Sequence, residues 1–162
     1  MTQQSDSSSA DSLTVNVDLA ERSYDIRICS DQLSAVGDSV ADWLDERLGA
    51  SSTQQSALVV TDRNVAGHAN VVRASLAAAG FRVELAELEP GEKTKSLSVI
   101  SGLYERMVEM KADRRTVVVA VGGGVIGDAS GFLAATYNRG VPFVQIPTTL
   151  LADVDSSVGG KV

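Results

Sequence analysis

Gly122, Gly124 and Gly127 in "GGGVIGDASG" stand at G-x-G-x-x-G spacing, directly after the apolar run "TVVVAV". Glycines placed after a strand let the backbone approach a ligand that a Cβ would repel. The N-terminus of a following helix then offers unpaired N–H groups and a positive dipole to a diphosphate. Asp128 comes immediately after the last of these glycines, where a phosphate would least favour it. Its plain reading is a charge in the first helical turn that complements the dipole. Its chemical reading is a carboxylate at the edge of a site, orienting a hydroxyl or a nicotinamide. The standard dinucleotide turn also needs an acid near the end of the following strand, and here that strand ends "VQIP". The spacing by itself leaves a ligand loop and tight helix–sheet packing both open.

Three further stretches carry groups of the right chemistry. "TDRN" holds Asp62 and Asn64, and "GEKTK" holds Glu92, Lys93 and Lys95. A carboxylate accepts from two ribose hydroxyls at once, and Asn64 or Lys95 supplies donors. The plain readings are capping by Asp62 or Asn64 and a solvated charge run. "DVDSSVGGK" packs Asp153, Asp155, Ser156, Ser157, two glycines and Lys161 into one loop, with Lys161 suited to a carboxylate or phosphate and Asp155 to a hydroxyl. His68 stands alone on a helix and reads as a surface residue. Cys29, the one cysteine, lies in the alternating "YDIRIC" and reads as a half-buried structural thiol. No His, Cys and Glu cluster has metal-ligand spacing.

The elements that must position these residues follow from periodicity. "LTVNVDL" and "YDIRIC" alternate apolar and polar residues across a short link and read as an N-terminal strand pair, with an antiparallel pairing open to them. Residues 31–50 have helical spacing and stop at Gly49. From there strand and helix alternate: strand "ALVVT", a helix over 62–80, strand "FRVELAEL", a helix over 97–112, strand "TVVVAV", a helix over 124–138 and strand "VPFVQI". Such alternation predicts an α/β fold with a mostly parallel, Rossmann-like sheet covered by helices on both faces. Ligands of such sheets sit beyond the carboxyl ends of the strands, where "TDRN", "PGEKTK", "GGGVIGD" and "PTT" all fall.

The 162 residues fit one domain after a polar, Ser-rich stretch at 1–12 that reads as a disordered tail. A hydrophobic share of 44% and a charged share of 22% suit a soluble globular protein. A net charge of −7 argues against generic binding to nucleic acid or an anionic membrane. No signal peptide and no membrane-length apolar run is visible, so a cytoplasmic location is expected. "SSVGGKV" closes the sequence in mid-loop, which reads as a fragment.

Taken in order, "TDRN", "PGEKTKS", "AVGGGVIGD", "GFLAATYNRG" and "QIPTTLLADVDSSVGGK" resemble 3-dehydroquinate synthase of the shikimate pathway. The likeness runs from about Asp62 to Lys161 and is most specific in its last forty or so residues. It implies an N-terminal NAD-binding domain over 13–162 and a C-terminal helical, metal-binding domain that is absent here. It implies NAD and a metal, usually zinc, in the cleft between the two halves. The family converts 3-deoxy-D-arabino-heptulosonate 7-phosphate, a phosphorylated sugar acid, to 3-dehydroquinate plus phosphate, using and regenerating NAD in each turnover. By this likeness Asp62, Asn64, Glu92 and Lys95 contact the nucleoside part of NAD. Gly123 and Gly124 admit the pyrophosphate, Thr148 and Thr149 line the cofactor, and Asp128 lies near the cationic nicotinamide end. Asp128, Asp155 and Lys161 are then catalytic candidates, and Asp155 and Lys161 contact substrate. Arg139 of "YNRG" resembles an arginine that reaches the substrate phosphate across a homodimer interface. Asp153, where the family usually carries an uncharged residue, and "GGKV" in place of "GGKT" are departures. The metal ligands of the family lie beyond this sequence, so no turnover is expected of this chain alone. A related sugar-phosphate cyclase, a metal-dependent alcohol or glycerol dehydrogenase and a non-catalytic nucleotide-binding module are the competing readings.

Overall fold

The computed structural model describes residues 12–20 and 23–158, which form two compact units, Met1–Gln32 and Leu33–Val162. In the first unit, β1 (Leu13–Val17) pairs antiparallel with β2 (Tyr24–Ile28). Leu13 stands opposite Ile28 and Val17 opposite Tyr24, so the alternation collects Leu13, Val15, Val17, Tyr24, Ile26 and Ile28 on one face. The other face is polar, and an Asn16–Asp25 hydrogen bond of 2.7 Å crosses it. Cys29 corrects the sequence reading, because its thiol is exposed rather than half-buried. It lies one residue past the last paired position, where alternation no longer sets its surroundings. Of the polar stretch at 1–12, only residue 12 lies within the described residues.

The second unit is a parallel sheet of β3 (Ser56–Asp62), β4 (Arg82–Leu88), β5 (Val117–Gly122) and β6 (Phe143–Pro147), in the order β4-β3-β5-β6. The two inner strands are the two with unbroken apolar runs, "ALVV" and "VVVAV", because both of their faces are covered. On one face, Leu58, Val60, Val118 and Ala120 pack against α3 (Leu97–Glu109) and α4 (Gly124–Thr136). On the other, Val59, Val117, Val119 and Val121 pack against α1 (Val36–Leu48) and α2 (Ala66–Ala78). This is the α/β sheet with helices on both faces that the strand–helix alternation predicts. The helices are shorter than their apolar periodicity suggests. A 3₁₀ turn at Leu33–Ala35 precedes α1, and α2 starts only after the turn that Asp62 builds.

Two local devices set helix positions in this unit. Gly80, at a φ of +92°, lets the chain leave α2 in the left-handed conformation that a Cβ disfavours. Gly37 brings α1 onto α2 so closely that a Cβ there would stand 2.2 Å from the Ser75 carbonyl oxygen. The Gly37 N–H donates to Ser75 Oγ at 2.9 Å, and that hydroxyl donates to the Ser34 carbonyl at 2.7 Å. The small residue and the buried hydroxyl together satisfy polar groups that the close helix crossing would otherwise strand.

Candidate cofactor site

β3 sits between β4, which follows it in sequence, and β5, which comes one helix later. The chain therefore leaves β3 towards one side and returns on the other, which opens a crevice between the carboxyl ends of β3 and β5. Ligands of open α/β sheets bind at such a reversal point. Asp62 ends β3 and Gly122 ends β5, so the two lips of the crevice carry an acid and the glycine loop. The next strand in sequence ends without an acid, whereas the neighbouring strand in space, β3, ends in one. Sequence order hides this, because strand adjacency is not written in it.

The glycines of the loop divide into two kinds. None of Gly122, Gly123, Gly124 and Gly127 has a positive φ, so what they supply is the absence of a side chain. A Cβ on Gly122 would meet Ile126 Cβ at 2.7 Å, and one on Gly127 would meet Gln145 Oε1 at 2.8 Å. Those two serve packing of α4 on the sheet. Gly123 and Gly124 instead face the segment after β6, with their Cβ positions 3.3 Å from Thr149 Cγ2 and 3.3 Å from Ser156 Oγ. No side chain caps α4, whose N-cap residue is Gly123. Its first N–H groups and dipole accordingly lie at the glycine loop, with Thr149 and Ser156 alongside.

The "PTT" segment is clipped over this loop. The Thr148 N–H donates to the Gly122 carbonyl at 3.1 Å, while Thr148 Oγ1 is buried and has no hydrogen-bond partner. Thr149 is exposed, and its Oγ1 accepts from the Ala152 N–H at 3.2 Å. It opens a wide π-helical turn at Ala152–Ser156, a form concentrated at functional sites. Asp153 and Asp155 on this turn are exposed, and the buried Ala152 anchors it.

"GEKTK" folds onto α4. Lys95 Nζ lies 2.8 Å from Asp128 Oδ2 and 3.4 Å from Glu92 Oε2. Its hydrogen bond to Asp128 outweighs partial desolvation and, with the charges of Asp128 and Glu92, holds the ammonium pKa above its ordinary 10.5. Asp128 is the fifth residue of α4, beyond the first turn, so complementing the dipole is not its main partnership. Its partner is a lysine more than thirty residues earlier. Lys95 and Asp128, assigned by sequence likeness to different ends of a cofactor, are therefore neighbours.

The remaining candidates fall into place or outside it. The Asp62 carboxylate accepts from the Asn64 N–H at 2.8 Å and shapes the turn after β3, while the α2 cap residue is Val65 without a side-chain cap. Arg63 and Glu89, which the sequence reading left aside, form an ion pair between the ends of β3 and β4. Arg139 lies after α4 and before β6, beside an open hollow lined by Ala112, Asp113, Arg114 and Asn138. Since α4 runs from the carboxyl end of the sheet back to the amino end, Arg139 is at the opposite end from the crevice of its own chain. Lys161 lies outside the described residues. His68 is exposed on α2. Among the described residues no three His, Cys, Asp or Glu side chains converge as a metal site, and no helix is long and apolar enough to cross a membrane.

Residues 85–162 match the family described as 3-dehydroquinate synthase N-terminal. A 3-dehydroquinate synthase of Desulforamulus reducens is 51% identical over 151 residues, covering 92% of this chain and 40% of that protein. Among solved structures, 2-deoxy-scyllo-inosose synthase complexed with carbaglucose-6-phosphate, NAD+ and Co2+ superposes with a TM-score of 0.73 at 27% identity, over 89% of this chain and 37% of that one. The 2-epi-5-epi-valiolone synthase of Streptomyces hygroscopicus, with NAD+ and Zn2+ bound, gives 0.59 at 30% identity, over 72% and 33%. The chain spans about 40% of the length of the curated relatives it matches.

Proposed function

This chain belongs to the 3-dehydroquinate synthase family, and we propose that it is the NAD-holding part of an enzyme converting 3-deoxy-D-arabino-heptulosonate 7-phosphate to 3-dehydroquinate and phosphate. The observation that carries this reading is that three segments distant in sequence, 62–64, 92–95 and 122–128, lie at the carboxyl end of one sheet, with Lys95 on Asp128 and the Thr148 N–H on the Gly122 carbonyl.

The residues present fit NAD. Gly123 and Gly124 present bare backbone where a Cβ would crowd Thr149 and Ser156, and the uncapped α4 N-terminus suits a diphosphate. The buried Thr148 hydroxyl lacks a partner and faces no competing bond. When bound, NAD supplies reversible hydride transfer at a substrate ring hydroxyl. The chain's own part is to hold and orient. Asp62 and Asn64 meet the nucleoside, Glu92 and Lys95 fix the wall opposite, and Asp128 places a carboxylate where a cationic ring carries the complementary charge. Lys95 keeps that carboxylate oriented before any ligand arrives. Asp155 and Lys161 are assigned to the substrate, and Arg139, at the far end of its own sheet, to the substrate phosphate of a second copy in a homodimer. Zinc or another divalent metal is assigned to the full-length enzyme, with its ligands outside this chain, and a cytoplasmic setting suits such an enzyme.

A second reading, a related sugar-phosphate cyclase, draws support from the 0.73 superposition on 2-deoxy-scyllo-inosose synthase. The experiment that tests this chain's part under both readings incubates the 162-residue chain with NAD and zinc and either the phosphorylated sugar acid or glucose 6-phosphate. We expect NAD binding by calorimetry and no phosphate release from either. Phosphate release would overturn the assignment of this chain as the non-turning-over part. Absence of NAD binding would favour loss of the cofactor role altogether.

A further inference from the structure

We propose that Glu89 sets the choice between NAD and its 2′-phosphorylated counterpart by occupying the Arg63 guanidinium; this rests on the NAD reading of the crevice. In α/β dinucleotide sites, a carboxylate at the end of the strand beside the glycine loop accepts from the ribose 2′-hydroxyl. An arginine near the same place accommodates a 2′-phosphate instead. This chain carries both signals at consecutive positions, Asp62 as the last residue of β3 and Arg63 as the first beyond it. Taken by themselves they contradict each other.

Strand register resolves the contradiction. Asp62 stands opposite Leu88 in the parallel β3–β4 pair, so Arg63 and Glu89 are the first residues beyond the paired ends. There Arg63 Nη2 donates to Glu89 Oε1 in an ion pair. The Glu89 backbone is held in place, because its carbonyl accepts from the Thr94 hydroxyl, and Thr94 is only 2% exposed. The guanidinium thereby has a carboxylate partner, and a phosphate brought beside it would meet Glu89 and Asp62 together. A ribose hydroxyl is uncharged and donates to the Asp62 carboxylate without that repulsion. Glu89 thus acts as a specificity-determining residue that lets Asp62 prevail over Arg63.

The test titrates the full chain with NAD+ and with NADP+ by calorimetry. Glu89→Gln keeps the shape of the side chain and removes its charge. We expect it to tighten NADP+ binding about tenfold while NAD+ changes by less than about threefold. Adding Arg63→Ala to Glu89→Gln should abolish that gain. An unchanged NADP+ to NAD+ ratio in Glu89→Gln, or a gain that survives Arg63→Ala, overturns the proposal. So does a wild-type chain that binds both dinucleotides equally. A wild-type chain that binds neither overturns instead the NAD reading on which it rests. Both side chains are more than half exposed, at 55% and 74%, so the variants leave the core untouched, which unchanged thermal unfolding verifies.

Discussion

At the scale of single residues, the decisive contact is Lys95 with Asp128, because it ties a loop after β4 to a helix after β5. Both side chains are 37% exposed, so the pair stabilises the fold only modestly, by about 0.5 kcal/mol. Its larger effect is on orientation. Lys95→Met should weaken NAD binding about tenfold, read by calorimetry, while lowering stability little. Folding raises the Lys95 pKa above 10.5, so the stabilisation due to its charge is complete below that pH and disappears as the pH climbs past the folded value. The stability difference between wild type and Lys95→Met, measured by denaturant unfolding, should therefore stay constant between about pH 7 and 9. It should shrink only above 10.5. A difference that changed within the neutral range would assign the contact to another titrating group.

At the scale of elements, glycine positions separate packing from binding. Gly37→Ala drives a methyl into the Ser75 backbone carbonyl, which cannot move without parting α1 from α2. We expect a loss of about 3 kcal/mol in chemical denaturation. Gly122→Ala presses on Ile126 and should cost about 2 kcal/mol, whereas Gly124→Ala meets only the end of the Ser156 side chain and should cost less than either. The strand–helix alternation was legible in the sequence because buried parallel strands need apolar runs and covering helices need their own periodicity. Strand adjacency was not, so Asp62 was legible as an acid suited to a ribose but not as the neighbour of the glycine loop after β5. Cys29 misled because alternation says nothing past the last paired residue. The separate roles of Gly122 and Gly124 were hidden for a similar reason, since the spacing of glycines does not tell which atoms lie opposite them.

At the scale of the whole molecule, the Leu33–Val162 unit has two ends with different chemistry. The carboxyl end gathers the crevice, and the amino end carries Arg139 with Arg114 beside it. Arg139→Ala should accordingly leave the NAD affinity of the chain within about twofold of wild type, measured by calorimetry. A large loss would place Arg139 at the crevice of its own chain, against the topology. The net charge of −7 makes the local cations, Lys95 and the α4 N-terminus, exceptions rather than part of a basic surface. The order β4-β3-β5-β6 also bears on synthesis at the ribosome. β3 can pair with β4 as soon as both have emerged, but its other edge stays open until residues 117–122 arrive. During that interval "ALVV" presents an unpaired, wholly apolar edge, the kind of surface on which nascent chains aggregate. Chaperone capture of arrested chains should therefore be strongest for those that end between β4 and β5, and should fall once β5 has emerged.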